Sequence, residues 1–374
     1  MISVLSVVGT RPEVIKMAPV ILALNQHPDE IRSVLCSTGQ HRQMLDQALT
    51  LFGLEPDYDL DVMQPNQTLS DLTARLFFDL ARIVEMEKPD WILAQGDTTT
   101  VFVSAMIAYY HKTQFGHVEA GLRTGDRYSP FPEEMNRRIA DLLAEVCFAP
   151  TEHSRDALLR EGHRADRVIM TGNTIVDALL MIKQESYDWS TGPLAQVPLN
   201  RELIVVTAHR RENFGAPLER ICQAVRDLAL HFRTRVQFVF PVHHNPNVRD
   251  VVYRHLTNLE NVSLLEPLDY ASMVHLMSRA VLILTDSGGI QEEGLSLGVP
   301  VLVMRETTER PEGIWAGAAR LVGTERQRVA SAVKQELQGA KGATLQHNAA
   351  GINPYGDGKA AQRIVAALLN HGGD

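Results

Sequence analysis

Residues 114–138 read QFGHVEAGLRTGDRYSPFPEEMNRR and contain the structural unit that decides the fold. An apolar run at 114–118 is followed by a loop punctuated by glycine and proline, and a helix is predicted to begin at Glu133 and Glu134. A strand, a loop and a helix form the repeating unit of α/β proteins. The loop also carries Glu119 together with several arginines, and loops of this kind are where active sites are usually built.

Short apolar runs separated by amphipathic segments recur along the whole chain in two series. The first series lies at residues 3–8, 33–37, 91–95, 114–118, 145–149 and 168–171. The second series lies at residues 203–207, 236–241, 262–265, 281–285 and 299–304. Helical patterns between them lie at residues 18–25, 69–87, 154–161 and 218–232. Because the runs are almost continuously apolar, they predict parallel strands covered on both faces. Two series predict an α/β protein with two doubly wound Rossmann-like domains.

The boundary between the domains is predicted in residues 184–200, QESYDWSTGPLAQVPLN, which are rich in turn formers. The predicted domains are therefore residues 1–184 and 200–355. The remaining residues, 356–374, contain an amphipathic segment that we expect to pack back on the first domain as a helix.

Composition restricts the class of protein. A chain of 374 residues is too long for one ordinary core. A net charge of -9 argues against nucleic-acid binding. The three cysteines lack CxxC spacing and are expected to be reduced, mostly buried thiols. No apolar run approaches the roughly 18 residues of a membrane span, and the first residues lack the pattern of a signal peptide. We therefore expect a soluble cytoplasmic protein with no membrane partner.

Polar clusters follow the predicted strands, where open α/β sheets bind their ligands. After the first strand, GTRPEVIK places Thr10, Pro12 and Glu13 in the pattern of a capped helix. Arg11 and Lys16 then lie beside a helix N-terminus, which is a natural anion site. The motif alone leaves open a well-capped surface helix without a ligand.

In the second domain, TDSGGIQEEG follows the strand at 281–285. Backbone N–H groups of Ser287, Gly288 and Gly289 can approach a phosphate closely. Glu292 and Glu293 are predicted in the first turn of the next helix, where an acid either complements the dipole or accepts ribose hydroxyls. The chain lacks the GxGxxG and GxxxxGK[ST] patterns, which leaves a nucleoside diphosphate as the open possibility.

Further cations follow other strands of the second domain. His209, Arg210 and Arg211 come after its first strand and suit a pyrophosphate, although Arg211 also fits a solvated surface pair. Of Arg305 and Arg310, one is expected to reach the diphosphate and the other to be a surface charge.

No metal site is predicted. The neighbouring His243 and His244 cannot easily share one ion, and no third ligand is suitably spaced.

Nine motifs together resemble the bacterial non-hydrolysing UDP-N-acetylglucosamine 2-epimerases. They occur in order between residues 7 and 364 and read GTRPEVIKMAP, QHRQMLDQ, GDTTT, HVEAGLRTGDRYSPFPEEMNRR, TGNTIVDAL, HRRENFG, DSGGIQEE, ERPEG and NPYGDGKAAQRI. The resemblance implies the two-Rossmann-domain architecture of GT-B glycosyltransferases with the active site between the domains. It also implies reversible conversion of UDP-GlcNAc to UDP-ManNAc without nicotinamide or metal, and a homodimer.

The resemblance carries site residues over by motif, with acid/base residues in 1–184 and UDP contacts mainly in 200–355. The implied catalytic residues are Lys16, Asp97, Glu119, Glu133 and His209. The implied UDP contacts are Arg11, His209, Ser287, Gly288, Gly289, Glu293 and Arg310. Some members bind a second UDP-GlcNAc as an activator near positions matching Gln40, Gln43, Arg210 and His243. The chain departs from the family with Gln95 where many relatives have His, and with His244 where others have an apolar residue.

The chemistry explains why several carboxylates are required. The C2 proton of the sugar is only weakly acidic, so inversion is easier if UDP leaves from C1 and 2-acetamidoglucal forms. Returning the proton to the opposite face needs two acid/base groups, and Asp97, Glu119 and Glu133 are the candidates. Without the resemblance, Asp97 also fits a helix cap, and Glu133 also fits an acid at a helix start. A UDP-sugar glycosyltransferase, a hydrolysing relative and a non-catalytic UDP-sugar-binding protein are the alternatives.

Overall fold

The computed structural model describes residues 1–39, 42–64, 66–338, 345 and 353–371, with the side chains of 42–44 left out. The chain divides into two compact units. Unit 1 comprises Met1–Ala178 and Tyr355–Asp374, and unit 2 comprises Leu179–Pro354. Each unit has its own sheet of parallel strands with helical connections. This confirms the predicted α/β fold with two doubly wound Rossmann-like domains.

The sheet of unit 1 has seven strands in the order β3-β2-β1-β4-β5-β6-β7. The strands are β1 Ile2–Val8, β2 Ile31–Ser37, β3 Tyr58–Asp59, β4 Trp91–Gln95, β5 Gln114–Val118, β6 Val146–Ala149 and β7 Val168–Met170. The first seven helices are α1 Arg11–Leu24, α2 Arg42–Leu51, α3 Leu69–Glu87, α4 Thr99–His111, α5 Glu133–Leu143, α6 Glu152–Arg160 and α7 Thr174–Gln184. A 3₁₀ turn at Ala165–Arg167 precedes β7.

The sheet of unit 2 has six strands in the order β10-β9-β8-β11-β12-β13. The strands are β8 Glu202–Thr207, β9 Val236–Pro241, β10 Val262–Leu265, β11 Ala280–Thr285, β12 Val301–Val303 and β13 Ala319–Leu321. The helices are α8 Ala216–His231, α9 Pro246–Leu256, α10 Tyr270–Ser278, α11 Gly288–Ser296, α12 Pro311–Trp315 and α13 Arg326–Gln338, with 3₁₀ turns at Gly192–Leu194 and Arg211–Asn213. The last helix, α14 Ala360–His371, belongs to unit 1.

Burial explains why these runs form central strands. All five residues of β4 are buried, as are the last five residues of both β1 and β8. Each helix that covers a sheet face excludes water from these side chains, which is the main stabilising contribution of such a core. In each unit the strand order reverses beside the first strand, between β1 and β4 and between β8 and β11. The crevice at such a switch point is the usual ligand site of an open α/β sheet.

Helix α14 is held on unit 1 by a carboxylate from another helix. It packs against α1, and Asp177 of α7 accepts hydrogen bonds from the backbone N–H groups of Ala360 (3.2 Å) and Ala361 (2.9 Å). These two N–H groups have no acceptor within their own helix, so Asp177 acts as a distant N-cap.

Two differences from the sequence-based predictions have a local cause. The strands β3 and β13 were not predicted, because two and three residues are too few to show a pattern. Helix α1 begins at Arg11, which confirms the capped start predicted from Thr10, Pro12 and Glu13, so the apolar pattern at 18–25 marks only the later part of this helix. The three cysteines are free and buried, which confirms the prediction of buried thiols.

No helix in the described part of the chain is long and apolar enough to cross a membrane.

Candidate active site

Glu119 is a buried carboxylate of unit 1 that is held by a lysine and an amide. It follows β5 directly and has φ of +65°, a left-handed conformation that costs energy in any residue with a side chain. Its carboxylate oxygens Oε1 and Oε2 lie 2.7 and 2.6 Å from Lys16 Nζ, and the amide of Gln95 donates to Oε2. The side chain is only 3% exposed, so the lysine supplies the charge that a buried carboxylate needs. Gln95, the residue that departs from the family pattern, therefore contacts a predicted catalytic group.

Asp97 lies after β4, on the neighbouring strand end. Arg137 Nη2 of α5 donates to its Oδ2 at 2.6 Å, and Asn136 Nδ2 donates to its backbone oxygen at 2.9 Å. The Asp97 side chain is 31% exposed, so one face of the carboxylate remains open to a ligand. The alternative that Asp97 caps a helix is wrong, because the N-cap of α4 is Thr98.

The adjacent acids Glu133 and Glu134 have different surroundings. Helix α5 begins at Glu133, which confirms the predicted start. Glu134 is fully buried and accepts from the backbone N–H groups of Thr124 (3.1 Å) and Gly125 (3.3 Å), so it fixes the loop before α5. Glu133 Oε2 is buried and has no hydrogen-bond partner among the described residues. Of the two acids, Glu133 is therefore the one with an oxygen available to a substrate.

Glu13 connects the first strand end to the turn that carries Asp97. It accepts from the N–H groups of Gly9 and Thr10, each at 2.7 Å, and from the hydroxyl of Thr98. Burial raises the pKa of Glu13 to about 7, although these hydrogen bonds favour its charged form. The half-buried Arg11 follows as the first residue of α1. Unit 1 thus places the first turns of α1, which carry Arg11 and Lys16, and the loops that carry Asp97 and Glu119 after the adjacent strands β1, β4 and β5.

In unit 2, the buried Asp286 organises the switch point. It follows β11 and accepts from the backbone N–H groups of His209 (3.0 Å) and Arg210 (2.9 Å) and from Asn213 Nδ2 (2.9 Å). The loops after β8 and β11 are therefore bound to each other through one carboxylate. Sequence reasoning missed Asp286, although its position directly before the Ser-Gly-Gly sequence was a signal.

The pKa of His209 lies below its ordinary value. Burial lowers its pKa, and the charge of Arg210 acts in the same direction, while Asp286 opposes the shift. Its ring stacks on that of His243, with centroids 5.7 Å apart. The structure thus brings together one predicted catalytic residue, His209, and two residues predicted near an activator, Arg210 and His243. Gln40 and the side chain of Gln43 lie outside the described residues.

The Ser-Gly-Gly sequence begins helix α11, with Ser287 as the N-cap. A Cβ on Gly288 would lie 2.8 Å from Glu309 Oε1, whereas a Cβ on Gly289 would have no described atom within 4 Å. Gly289 therefore faces open space beside a helix N-terminus, as a phosphate-binding glycine should. Glu292 and Glu293 lie in the second turn of α11, so the predicted first turn is wrong: the helix begins directly after Ser287.

The arginines of the loop after β12 are both paired with acids. Arg305 contacts Glu309 at 2.5 Å and Glu212 at 2.7 Å, and Arg310 pairs with Glu292. The prediction that one of the two arginines is a surface charge is wrong, because their side chains are only 12% and 17% exposed. Glu309 lies four positions from Arg305, but Glu212 and Glu292 come from distant parts of the chain, and local patterns do not show such pairs.

The described residues contain no group of three or more His, Cys, Asp or Glu side chains placed to hold a metal ion.

Comparison with known proteins gives a consistent result. The family model described as UDP-N-acetylglucosamine 2-epimerase matches residues 22–369. The UDP-N-acetylglucosamine 2-epimerase of Salmonella typhimurium is 50% identical over 374 residues, which cover 98% of each chain. The crystal structure of the Neisseria meningitidis UDP-GlcNAc 2-epimerase bound to UDP-GlcNAc has a TM-score of 0.87 at 46% identity and covers 98% of this chain and 100% of that chain. The Methanocaldococcus jannaschii enzyme in complex with UDP-GlcNAc and UDP has a TM-score of 0.79 at 32% identity, with 98% and 99% covered. The chain therefore belongs to the UDP-N-acetylglucosamine 2-epimerase family and is an epimerase, a kind of isomerase.

Proposed function

We propose that this epimerase interconverts UDP-GlcNAc and UDP-ManNAc without hydrolysis, by eliminating UDP and adding it back. The observation that carries the proposal is the opposite chemistry of the two switch points. Unit 1 presents carboxylates that are held by cations, and unit 2 presents cations and backbone N–H groups that are held by carboxylates. An anionic leaving group and an acid/base reaction at the neighbouring carbon require these two kinds of site.

Unit 2 is proposed to bind the UDP moiety. The N-terminus of α11, with Ser287, Gly288 and Gly289, offers N–H groups to the diphosphate. His209 and Arg310, together with Arg11 of unit 1, are proposed to stabilise the charge that develops when the C1–O bond breaks. Glu293 is proposed to accept the ribose hydroxyls.

Unit 1 is proposed to carry the acid/base groups. In the elimination a carboxylate takes the C2 proton, the C–H electron pair forms the C1=C2 double bond, and the C1–O pair leaves with UDP. The reverse addition delivers a proton to the other face of C2. The proposed groups are Asp97, Glu119 and Glu133. Asp97 and Glu119 follow strand ends and are each held by a cation, and Glu133 begins α5 with a buried oxygen that has no hydrogen-bond partner among the described residues. Lys16 is proposed to balance the charge of the Glu119 carboxylate, from which its Nζ lies 2.6 Å.

A second UDP-GlcNAc is proposed to act as an activator near Arg210 and His243. The backbone N–H of Arg210 donates to Asp286, and its guanidinium Nη2 lies 3.1 Å from Glu309 Oε1. His243 stacks directly on His209, so a ligand on His243 would change the surroundings of a proposed catalytic residue.

The active form is proposed to be a homodimer that pairs through unit 1. Helices α3, α4 and α5 pack side by side and expose the large apolar side chains Phe78, Tyr109, Tyr110 and Leu142. Such a cluster on neighbouring helices is typical of a protein interface. Light scattering after gel filtration should give twice the chain mass, and Phe78→Glu with Leu142→Glu should give the monomer. A monomeric wild type would contradict this proposal.

Incubation with UDP-GlcNAc in D2O tests the proposed reaction. We expect deuterium at C2 and a mixture of both UDP-sugars. Free ManNAc as the only sugar product would indicate a hydrolysing enzyme instead. Absence of exchange at C2 would contradict the proposal, and transfer of the sugar to an added acceptor without exchange would favour a glycosyltransferase.

A further inference from the structure

Hydrogen bonds connect the two strand-end turns that carry Asp97 and Glu119. Gly96 has φ of +89°, and a Cβ at this position would meet no described atom within 4 Å. One of these bonds joins the two turns directly, since the N–H of Gly96 donates to Val118 O at 3.0 Å.

His117 makes a second, buried connection between the same turns. It lies on β5, two residues before Glu119, and is completely buried. Its Nε2 lies 2.7 Å from Gly96 O, and its Nδ1 lies 2.6 Å from Asp141 Oδ1. Both partners are oxygens that accept hydrogen bonds, so the arrangement is satisfied when both ring nitrogens donate.

Asp141 completes the arrangement from α5. Its second oxygen, Oδ2, accepts from Gly121 N–H at 3.3 Å and contacts Arg123 Nη1 at 2.7 Å. Burial raises the pKa of Asp141, but His117 and Arg123 outweigh it and hold the pKa below its ordinary value. Arg123 is fixed in turn by Glu161 at 2.7 Å. A network with His117 and Asp141 at its buried centre and Arg123 and Glu161 toward its exposed edge therefore lies directly behind both strand ends.

We infer that His117 is a positioning residue for the epimerase reaction: its Nε2–H bond to Gly96 O sets the position of Asp97 relative to Glu119. The inference rests on the proposed function, which makes both carboxylates catalytic. Asp141 contacts the other turn separately, through the N–H of Gly121, so the spacing set by His117 depends on its bond to Gly96 O and not on the bond to Asp141. Pre-organisation of this kind accelerates a reaction because misplacement by about 1 Å can cost about a hundredfold in rate.

Two substitutions of similar size separate this role from a general role in the core. In His117→Gln the side-chain amide nitrogen stands near the former Nε2 and keeps a donor for Gly96 O, but the bond to Asp141 is lost. In His117→Asn the amide nitrogen stands near the former Nδ1 and keeps the Asp141 bond, but the bond to Gly96 is lost. Both variants are neutral, so the charge of the network changes equally.

We expect His117→Asn to lower kcat by about tenfold to a hundredfold with a change in KM below about threefold. We expect His117→Gln to stay within about threefold of the wild type in kcat, although it loses the stronger, charge-assisted bond and melts at the same or a lower temperature. A merely structural role would make activity follow melting temperature. Equal effects of the two variants on kcat, or a loss confined to KM, would overturn the inference.

Asp141→Asn gives an independent measurement if a His117 variant does not fold. Its amide nitrogen donates to Nδ1 of a neutral His117, whose Nε2–H still reaches Gly96 O, so kcat should stay within about threefold of the wild type. A hundredfold loss in folded Asp141→Asn would contradict the inference. All variants are compared by deuterium incorporation at C2, and a wild type without exchange would instead contradict the proposed function.

Discussion

The two switch points of this chain have the same topology and opposite electrostatics. In unit 1 the carboxylates of Asp97 and Glu119 are presented at the strand ends, and Arg137 and Lys16 hold them. In unit 2 the roles of acid and cation are reversed. The carboxylate of Asp286 is the buried support, and it holds the loop after β8 that carries the cations. The comparison shows that strand order determines where a site is built, whereas the loop residues determine whether the site offers carboxylates or anion-binding groups.

The largest expected effect concerns the acid/base side. Glu119→Gln removes a proposed proton acceptor and leaves Lys16 without its carboxylate, so kcat should fall by about 10²–10⁴-fold. Deuterium incorporation at C2 measures this loss, and the UDP affinity of unit 2 should change little. Glu152→Gln, at an exposed acid on α6, is the control and should keep full activity. Full activity of Glu119→Gln would break the division between the two switch points.

The second effect concerns the anion side. Asp286→Asn replaces one acceptor oxygen by a donor facing N–H groups, and an unsatisfied buried group costs about 1–3 kcal/mol. We expect the Kd for UDP, measured by titration calorimetry, to rise about tenfold as the His209–Arg210 loop loosens. Asp269→Asn, at the N-cap of α10, keeps a good cap and should leave the Kd unchanged. Loss of C2 exchange with unchanged UDP affinity in Asp286→Asn would contradict the proposed anion site.

A smaller effect tests whether the open space beside Gly289 belongs to the ligand or is a gap in the packing. Gly289→Ala places a methyl group where the structure describes no atom within 4 Å, and alanine favours a helix over glycine by about 0.5–1 kcal/mol. The melting temperature should therefore hold or rise, while the Kd for UDP rises several-fold because the diphosphate loses close approach. Unchanged UDP affinity would show that Gly289 does not face the ligand.

The last effect is on stability rather than on activity and depends on pH through Glu13, a buried acid of unit 1. The folded pKa of Glu13 is about 7, above its unfolded value of 4.5, so its contribution to stability is complete below pH 4.5 and is lost as pH rises to about 7. In Glu13→Gln this loss should disappear. The difference in unfolding free energy between variant and wild type should move in favour of the variant by roughly 2–4 kcal/mol from pH 4.5 to 8, measured by denaturant titration. A difference that does not change with pH would contradict the raised pKa.

Much of the fold was predictable because its signals are local. The apolar runs at Trp91–Gln95, Gln114–Val118, Val236–Pro241 and Val262–Leu265 were predicted with the observed bounds. The start of α5 at Glu133 was also predicted, since an acid after proline marks a helix start. The short strands β3 and β13 were missed because pairing with a neighbour, rather than any internal pattern, makes them strands.

The candidate site was only partly predictable. Motifs indicated Glu119 and Asp97, but their cation partners Lys16 and Arg137 are 103 and 40 positions away in sequence. The resemblance named Glu133 rather than Glu134, but it gave no physical reason: in the structure one has a buried oxygen without a partner among the described residues and the other binds two N–H groups of a loop. The roles of His117 and Asp141 depend on the contact between β5 and α5, which no local pattern contains.

The sequence by itself determined two parallel sheets, polar residues at their strand ends and the family to which the chain belongs. These properties follow from hydrophobic runs, turn formers and motifs, each of which lies within a few neighbouring residues. Only the tertiary structure decided which carboxylates are buried supports, such as Asp286, and which keep an exposed face, such as Asp97. The physical reason is that a carboxylate takes its charge state and orientation from the N–H groups and cations packed around it, and strand order brings those from distant parts of the chain.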